Sequence, residues 1–200
     1  MLSVIIPVKN RIDLTQKVIR RLRLLGGYDR IIVFDNGSND GTWSWLNRQT
    51  DVIALPSDKG IYAMWNAGRR IAKGHCAILN NDIDFDHGFL QGLEKVLEDE
   101  SVGAVSPNPE GNPLTDVVAS NDWLCGYAFV VRAGMPPFDE GYRWYYGDDD
   151  YVQLIHRAGY QTVMHHGIQI RHIGRASTPP GLVEATVEAD AARYREKWSA

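Results

Sequence analysis

The chain has 200 residues, of which 44% are hydrophobic and 23% are charged, and these proportions are typical of one globular domain rather than a disordered or fibrous chain. Its 21 basic and 25 acidic side chains give a formal net charge of -4, which argues against binding of nucleic acid or anionic lipid over the whole surface. Cys76 and Cys125 are too few for a disulfide framework, and the sequence has neither a long apolar run nor a leader pattern, so we expect reduced thiols and a cytoplasmic protein without stable membrane insertion.

Short apolar runs alternate with helical patterns over the first hundred residues. Apolar and β-branched runs predict strands over residues 4–6, 31–34, 52–55, 76–79 and 102–105. Apolar residues at helical spacing predict helices over residues 13–25, 42–48, 61–71 and 89–97. Because strands and helices alternate, we expect an α/β fold with a mostly parallel sheet flanked by helices.

The second half of the chain has a less regular pattern. Residues 107–115 contain three prolines and predict a loop, whereas residues 123–131 predict a strand. A predicted helix over 148–157 precedes two short predicted strands, 162–164 and 168–170. A C-terminal helix with one apolar face completes the chain.

Polar segments follow four of the predicted strands. They are residues 7–11, 35–38, 56–60 and 80–84. Ligands of open α/β sheets bind beyond the carboxyl ends of the strands, so four polar tips at one sheet edge predict a binding crevice. Asn, Asp and Gly are also common in ordinary turns, and that role explains each tip better when the tip is taken alone.

Two carboxylates in the fourth tip are candidate metal ligands. Asp82 and Asp84 lie close together after an apolar strand. Carboxylates concentrated in this way can hold a hard divalent cation, which would bridge a diphosphate and neutralise a departing phosphate. Asp-rich turns without a metal are also common.

A second acidic cluster, Asp148, Asp149 and Asp150, stands at a predicted helix start. Mutual repulsion tends to raise the pKa of at least one of these carboxyl groups. The helix dipole acts in the opposite direction, and an ordinary acidic helix start has the same pattern. From these residues alone, a chemical role and a structural role stay equally open.

Two arginines follow the last predicted strand, and several aromatic residues lie near Asp148 in the sequence. Arg171 and Arg175 are candidate diphosphate contacts because a guanidinium matches phosphate oxygens. Aromatic rings stack on the apolar faces of sugars, so the aromatic residues near Asp148 are candidate sugar contacts. We expect Trp123 and Tyr127 to lie in the core instead.

The order and spacing of these segments resemble the inverting glycosyltransferases of family two, which have the GT-A fold, and in particular their rhamnosyltransferase-like branch. Residues 3–11 are similar to that family's first strand and nucleotide loop, and residues 33–42 are similar to its second motif. Residues 59–68 resemble the segment that passes under the nucleotide, and residues 78–90 resemble the metal loop. The resemblance covers about residues 1–175 and implies a GT-A fold.

The resemblance implies a nucleotide-diphosphate sugar as the donor, either a UDP-sugar or a dTDP-sugar. In a single domain over 1–200, residues 1–105 would bind the donor, residues 106–178 would hold the acceptor and the base, and residues 179–200 would form the C-terminal helix. The donor contacts that it implies are Pro7, Val8, Asn10, Arg11, Asp35, Asn36, Ser38, Lys59, Gly60, Asn66, Asn80, Asn81, Asp82 and Gly126.

The same resemblance implies a divalent cation, Mn²⁺ or Mg²⁺. The family's Asp-x-Asp motif falls on Asn80–Asn81–Asp82, so Asn80 replaces the first carboxylate and Asp82 becomes the better ligand. Asp84 is an alternative ligand. The late His172 would complete the metal shell, in which Mn²⁺ tolerates nitrogen better than Mg²⁺ does.

The resemblance also implies a general base. The family carries a Glu-Asp pair whose Asp is the base, and counting back from Gly159 places that Asp on Asp148, with Gly147 in place of the Glu. Asp149 is the alternative if the register differs by one residue. The implied reaction is a single displacement with inversion, in which Asp148 accepts the proton of the acceptor hydroxyl.

The acceptor and two other functions stay open at this stage. The acceptor would be a glycan, a lipid-linked intermediate or another hydroxyl-bearing molecule, and a nucleic acid is disfavoured by the negative net charge. A sugar-phosphate nucleotidyltransferase uses a similar sheet, but residues 9–11 lack the glycines of its basic loop. A non-catalytic nucleotide-sugar-binding module is an alternative because Asn80 and Gly147 replace acidic residues of the family.

Overall fold

Strands and helices alternate in the computed structural model, which describes residues 1–173 and 182–199. In chain order the strands are β1 (Leu2–Val8), β2 (Arg30–Asp35), β3 (Val52–Pro56), β4 (His75–Leu79), β5 (Ile83–Phe85), β6 (Val102–Pro109), β7 (Val118–Ser120), β8 (Ala128–Val131) and β9 (Gln161–His172). The helices are α1 (Ile12–Leu25), α2 (Thr42–Leu46), α3 (Ile61–Ile71), α4 (Phe89–Val96), α5 (Gly147–Arg157) and α6 (Leu182–Trp198).

One sheet organises the chain, with the strand order β3-β2-β1-β4-β8-β6-β9-β5 and with β7 paired to β9. β1 pairs in parallel with β2 and β4, β2 with β3, and β6 with β9, whereas β8 runs antiparallel between β4 and β6. β1, β2, β3, β4, β6 and β9 therefore point the same way, which confirms the predicted α/β fold with a mostly parallel sheet. The strand order reverses between β1 and β4, where the carboxyl ends of an open sheet leave a crevice.

The core lies on both faces of this sheet because successive residues of a strand point to opposite sides. Val4 and Ile6 of β1 pack in one apolar cluster with α1 and α4. Ile5, between them, packs in a second cluster with α3 and α5. Strands that are covered on both faces have nearly continuous apolar sequences, which explains the apolar runs that predicted them.

Several predicted elements of the second half differ in the structure. In the segment expected to be a strand, only Ala128–Val131 is one, and residues 123–127 precede it as irregular chain. β6 extends to Pro109 into the predicted proline loop, and a register shift between Pro107 and Asn108 accommodates the prolines. The two short strands predicted around residue 165 are one continuous strand, β9.

The predicted C-terminal helix corresponds to α6, which contacts the rest of the domain through charged and aromatic side chains. Arg193 and Lys197 pair with Asp139, and Lys197 also pairs with Asp150. Within residues 1–173 and 182–199, none of the helices has the length and apolar character that a bilayer crossing requires. The proposed boundary at 178/179 and Arg175 lie outside the described residues.

Candidate functional site

A cavity of about 670 Å³ opens at the carboxyl ends of β1 and β4. Its volume falls in the range of sites for small ligands and cofactors. The predicted site residues that line it are Pro7, Val8, Asn36, Asn80, Asn81, Asp82, Gly126, Asp148, Asp149 and His172. The structure therefore places part of the predicted nucleotide set beside the candidate metal pair and the candidate bases. The predicted residues outside this wall are Asn10, Arg11, Asp35, Ser38, Lys59, Gly60, Asn66 and Asp84.

The loops after β1 and β2 are joined by hydrogen bonds beside this cavity. The Asn10 amide donates to Ser38 Oγ at 2.7 Å, and the Asn39 amide donates to Asn10 Oδ1 at 2.9 Å. Asn10 and Arg11 both have left-handed backbone angles, with φ of 56° and 55°. Such angles are uncommon for residues other than glycine, and here the neighbouring loop holds them in place.

Asp35 lies at the end of β2 with one oxygen engaged. Its Oδ2 accepts a hydrogen bond from the Ser38 amide at 3.2 Å. Its Oδ1 is buried and has no hydrogen-bond partner within the described part of the chain. A buried acceptor without a partner is costly, so this oxygen is suited to receive a donor group from a ligand.

Asp82 and His172 form the candidate metal site. Asp82 Oδ1 and His172 Nε2 lie 3.2 Å apart. Both atoms are buried, and neither makes a hydrogen bond to any described residue. Two cis ligands of a six-coordinate cation with bonds of about 2.1 Å lie about 3 Å apart, so this pair fits a divalent cation. Among the described residues no cluster of three such side chains exists, so the remaining ligands would come from the donor and from water.

Strand pairing brings the two candidate ligands together across the chain. Ile83 of β5 is in register with His172 of β9, and the Ile173 amide donates to the Asp82 carbonyl at 2.9 Å. The Tyr127 ring stacks on the His172 imidazole, with centroids 4.0 Å apart and planes 14° apart. The orientation of His172 is thus fixed by packing before any ligand binds.

The structure does not bring Asp84 to this site. Its carboxylate pairs with Lys17 at 3.0 Å, and Arg21 and Arg171 lie nearby. Burial by itself would raise the pKa of Asp84, but the hydrogen bond to Lys17 and the basic charges lower it overall. The role of alternative metal ligand is therefore corrected to that of an ion-pair partner, and Arg171 is engaged there, with Asp84 and Asp86.

Asp148 lies in the first turn of α5 and contacts Gly126 closely. A Cβ on residue 126 would overlap Asp148 Oδ2 and lie 3.1 Å from its Cγ. Burial and, to a smaller extent, the charge of the nearby Asp149 carboxylate together raise the pKa of Asp148 to about 6. Burial also raises the pKa of Asp149. Asp148 is therefore a carboxylate poised to accept a proton near neutral pH.

The three successive carboxylates do not act as one cluster. Asp150 is fully buried on the opposite side of α5, where its carboxylate accepts hydrogen bonds from Tyr142 at 3.1 Å and Trp198 at 2.7 Å. Lys197 completes its surroundings at 2.7 Å. Successive helical residues point about 100° apart, so within one turn Asp148 and Asp149 face the cavity while Asp150 points into the core.

Three further residues of the predicted nucleotide set lie outside the cavity wall, and one of them, Asn66, has a clear structural role. The Asn66 side chain donates to the Phe138 carbonyl and accepts from the Phe138 amide, both at 2.9 Å. We therefore correct its assignment to an anchor of the 138–140 segment. Lys59 is exposed and pairs with Asp58 at 3.4 Å, and Gly60 is the N-cap of α3.

Aromatic residues form much of the cavity wall, including two that were expected in the core. Trp123 and Tyr127 line the cavity, and the Trp123 side chain is 40% exposed. Trp144 and Tyr145 line it from the other side, and Trp144 is 38% exposed. Tyr62 also lies in the wall, packed against Gly147, whose missing side chain leaves room for its ring. No pattern in the sequence singled out Tyr62.

The fold and the site agree with the family comparison. The model of glycosyl transferase family 2 matches residues 3–149, which include β1, the candidate metal ligand Asp82 and the carboxylates of α5 that face the cavity. No curated protein sequence matches the chain.

Solved structures of glycosyltransferases share this fold at low sequence identity. A mannosyltransferase of Pyrobaculum calidifontis, in complex with GDP-Man and Mn²⁺, has 19% identity and a TM-score of 0.74, with 96% of this chain and 64% of that chain covered. GalNAc-T7, with UDP, GalNAc and Mn²⁺, has 16% identity and a TM-score of 0.77, with 100% and 49% covered. TarS 1-349 of S. aureus has 11% identity and a TM-score of 0.69, with 86% and 60% covered.

These likenesses define the fold, and the family match defines the relationship. The chain spans between 49% and 64% of the three solved structures. The family model, in contrast, covers more than half of this chain and includes both sides of the cavity. The chain belongs to glycosyl transferase family 2 and has the GT-A fold.

Proposed function

We propose that this chain transfers a sugar from a nucleotide-diphosphate donor to an acceptor hydroxyl, with inversion at the anomeric carbon. One observation carries the proposal: two buried atoms without hydrogen bonds to described residues, Asp82 Oδ1 and His172 Nε2, line the same cavity as the partly buried Asp148 carboxylate, whose pKa is raised. The Asp82–His172 pair suits a cation bound to a diphosphate, and the Asp148 carboxylate suits a general base. Both are needed when an alcohol displaces a nucleotide.

The donor would lie across the carboxyl ends of β1, β2 and β4. Asp35 has a buried oxygen without a partner among the described residues, which would accept a hydrogen bond from the nucleoside. Asp82 and His172 would hold a Mn²⁺ or Mg²⁺ ion, which when bound supplies positive charge to the departing diphosphate. A UDP- or dTDP-sugar is the proposed donor, and GDP-sugars belong in the test because the mannosyltransferase neighbour was solved with GDP-Man.

Asp148 would accept the proton of the acceptor hydroxyl. Gly126 has no side chain, and the space that this leaves is occupied by the Asp148 carboxylate at the cavity wall. Asp149 shares the cavity wall and is the alternative base. The acceptor oxygen attacks the anomeric carbon from the face opposite the diphosphate, the bond from that carbon to the diphosphate oxygen breaks, and the proton passes to Asp148.

The remaining parts of the proposal concern the acceptor and the cellular location of the protein. Trp123 and Trp144, both partly exposed at the cavity, give an acceptor glycan or lipid-linked sugar flat surfaces to stack on. A nucleic-acid acceptor is disfavoured by the net charge of -4. The rhamnosyltransferase-like branch and the cytoplasmic location stay predictions.

The test is turnover of a donor panel. The purified chain is incubated with UDP-, dTDP- and GDP-linked sugars and MnCl₂, with sugar acceptors and without them, and the released nucleoside diphosphate is measured. Asp148→Asn should lower turnover by about 10²- to 10⁴-fold while donor affinity stays within about two-fold, because only the proton acceptor is lost. Asp58→Asn, an exposed aspartate away from the cavity, is the matched control and should keep wild-type turnover.

Each competing function gives a different result in this assay. Release of pyrophosphate from a nucleoside triphosphate and a sugar phosphate would identify a nucleotidyltransferase. Donor binding without turnover by the wild type would identify a binding module. A product whose anomeric configuration equals that of the donor, measured by proton NMR, would contradict inversion.

A further inference from the structure

Asp190 of α6 binds the segment that leads into α5, the helix that carries Asp148. Its carboxylate is 3% exposed and accepts hydrogen bonds from three successive backbone amides: Arg143 at 3.1 Å, Trp144 at 3.0 Å and Tyr145 at 2.9 Å. Three amides of consecutive residues that converge on one anion form a nest, in which the carboxylate fixes the backbone shape. The partners are 45 to 47 residues apart in the chain, so this contact is purely tertiary.

The segment that Asp190 holds carries one wall of the cavity. Trp144 and Tyr145 line the cavity directly, and Asp148 and Asp149 follow in the first turn of α5. Between them, Tyr146 is the N-cap of α5 and has a left-handed φ of 59°. A left-handed bend at a tyrosine is unfavourable unless its surroundings hold it, so the position of Asp148 depends on what fixes this bend.

α6 holds the bend with a second side chain on the same helical face. Tyr194 lies four residues after Asp190, which places both on one side of the helix. Its ring packs on the Tyr146 ring, with centroids 5.6 Å apart and planes 36° apart. Asp190 thus fixes the backbone before the bend, and Tyr194 packs against the bend itself.

We infer that Asp190 is a positioning residue: it acts through the amides of residues 143–145 to hold the aromatic wall and the Asp148 carboxylate in place for transfer. Asp190 itself is outside the cavity wall formed by the described residues, so it touches neither donor nor acceptor there. The inference rests on the proposed function for its effect on turnover, but the hold on the backbone is independent of any substrate.

The test combines amide hydrogen exchange with turnover. All three amides donate to Asp190 Oδ2, and Asp190→Asn keeps one side-chain oxygen but loses the charge, so the amides bind a neutral and weaker acceptor. Exchange in peptides covering residues 143–150 should become at least ten-fold faster while β1 and β4 stay protected. Turnover of the best donor of the panel should fall at least ten-fold, and affinity for that donor with MnCl₂ should stay within about two-fold. Glu188→Gln, an exposed acid two residues before Asp190 on α6, is the matched control and should match the wild type.

Three results would overturn the inference. They are unchanged exchange in residues 143–150, faster exchange there with unchanged turnover, or faster exchange over the whole sheet with a loss of donor affinity. If Asp190→Asn does not fold, Tyr194→Ala decides, because it removes the ring packed on Tyr146 without leaving a buried amide unpaired. It should show the same local loosening and a smaller loss of turnover, and wild-type turnover in this variant would count against the inference. A wild type that turns over no donor would refute the proposed function alone, and the exchange result would still decide whether Asp190 holds the segment.

Discussion

Gly126 and Asp148 lie so close together that any side chain on residue 126 would overlap the Asp148 carboxylate. The structural need for glycine at this position is therefore steric. Gly126→Ala should displace the carboxylate and lower turnover by about 10²-fold, since a misplacement of about 1 Å costs that much in a positioned active site. The measurement is kcat/KM for the best donor of the panel.

A packing control separates this effect from a general clash. A Cβ on Gly92 of α4 would meet the end of the Ile168 side chain, far from the cavity wall and free to turn aside. Gly92→Ala should therefore keep nearly full turnover. Equal losses in the two variants would argue that crowding of the fold, rather than displacement of Asp148, is responsible.

The pH dependence of turnover follows from the buried base. Asp148 must be ionised to accept a proton, and burial raises its pKa to about 6. We expect kcat/KM to rise with pH, to be half-maximal near pH 6 and to level off above about pH 7. Because the Asp149 charge contributes to the raised pKa, Asp149→Asn should move the rise to lower pH. A rise at the same pH in this variant would show that another group controls it.

The same raised pKa predicts a pH-dependent stability. Folding raises the pKa of Asp148 from its ordinary value of 3.8 to about 6, so the folded state binds the proton more tightly and loses stability as pH rises through this window. The difference corresponds to about 3 kcal/mol above pH 6. Asp148→Asn should therefore stabilise the fold by up to that amount at pH 7 to 8 and by almost nothing near pH 4. Urea unfolding at both pH values measures it, and an equal gain at both would contradict the ionisation cost.

Metal affinity should depend on Asp82 and His172 but not on Asp84. Asp82→Asn removes the negative charge, and His172→Ala removes the imidazole nitrogen, from a pair whose facing atoms lie 3.2 Å apart, so each should weaken Mn²⁺ binding in the presence of UDP at least ten-fold. Asp84→Asn should leave affinity within about two-fold, because that carboxylate pairs with Lys17. Free Mn²⁺ can be counted by electron paramagnetic resonance. Equal weakening by all three variants would return Asp84 to the metal site.

Asn66 should matter for stability rather than for donor binding. Asn66→Ala removes both hydrogen bonds to the Phe138 backbone and leaves buried polar groups unpaired, so it should cost about 2 to 3 kcal/mol of unfolding free energy. Donor affinity should stay within about two-fold of the wild type. Asn47→Ala, an exposed asparagine, should change neither quantity. A selective loss of donor affinity would restore Asn66 to the nucleotide site.

The sequence predicts those features whose cause is local. Apolar runs such as Val4–Ile6 indicate buried strands, and polar residues directly after them, including Asp82, mark the edge where a ligand binds. The acidic start of α5 also follows from local pattern, since carboxylates favour the first turn of a helix. These features place the cavity and its main charged groups.

Features set by distant partners are invisible to such reasoning. Asp84 lies two residues after Asp82, yet its carboxylate forms an ion pair with Lys17 of α1. Tyr127 has the pattern of a core aromatic residue, and only the return of β9 places His172 against its ring. Asp150 has the same side chain as its two neighbours, but it lies on the other side of the helix, where Lys197 and Trp198 of α6 bind its carboxylate.

The pairing of β5 with β9 brings together two candidate metal ligands, Asp82 and His172, from distant parts of the chain. Asp82 precedes β5 and His172 ends β9, so a cation site formed by this pair would need both segments in place. An ion bound there would stabilise only those molecules in which β5 and β9 have paired. We therefore expect occupancy by the cation to depend on this pairing as well as on the donor.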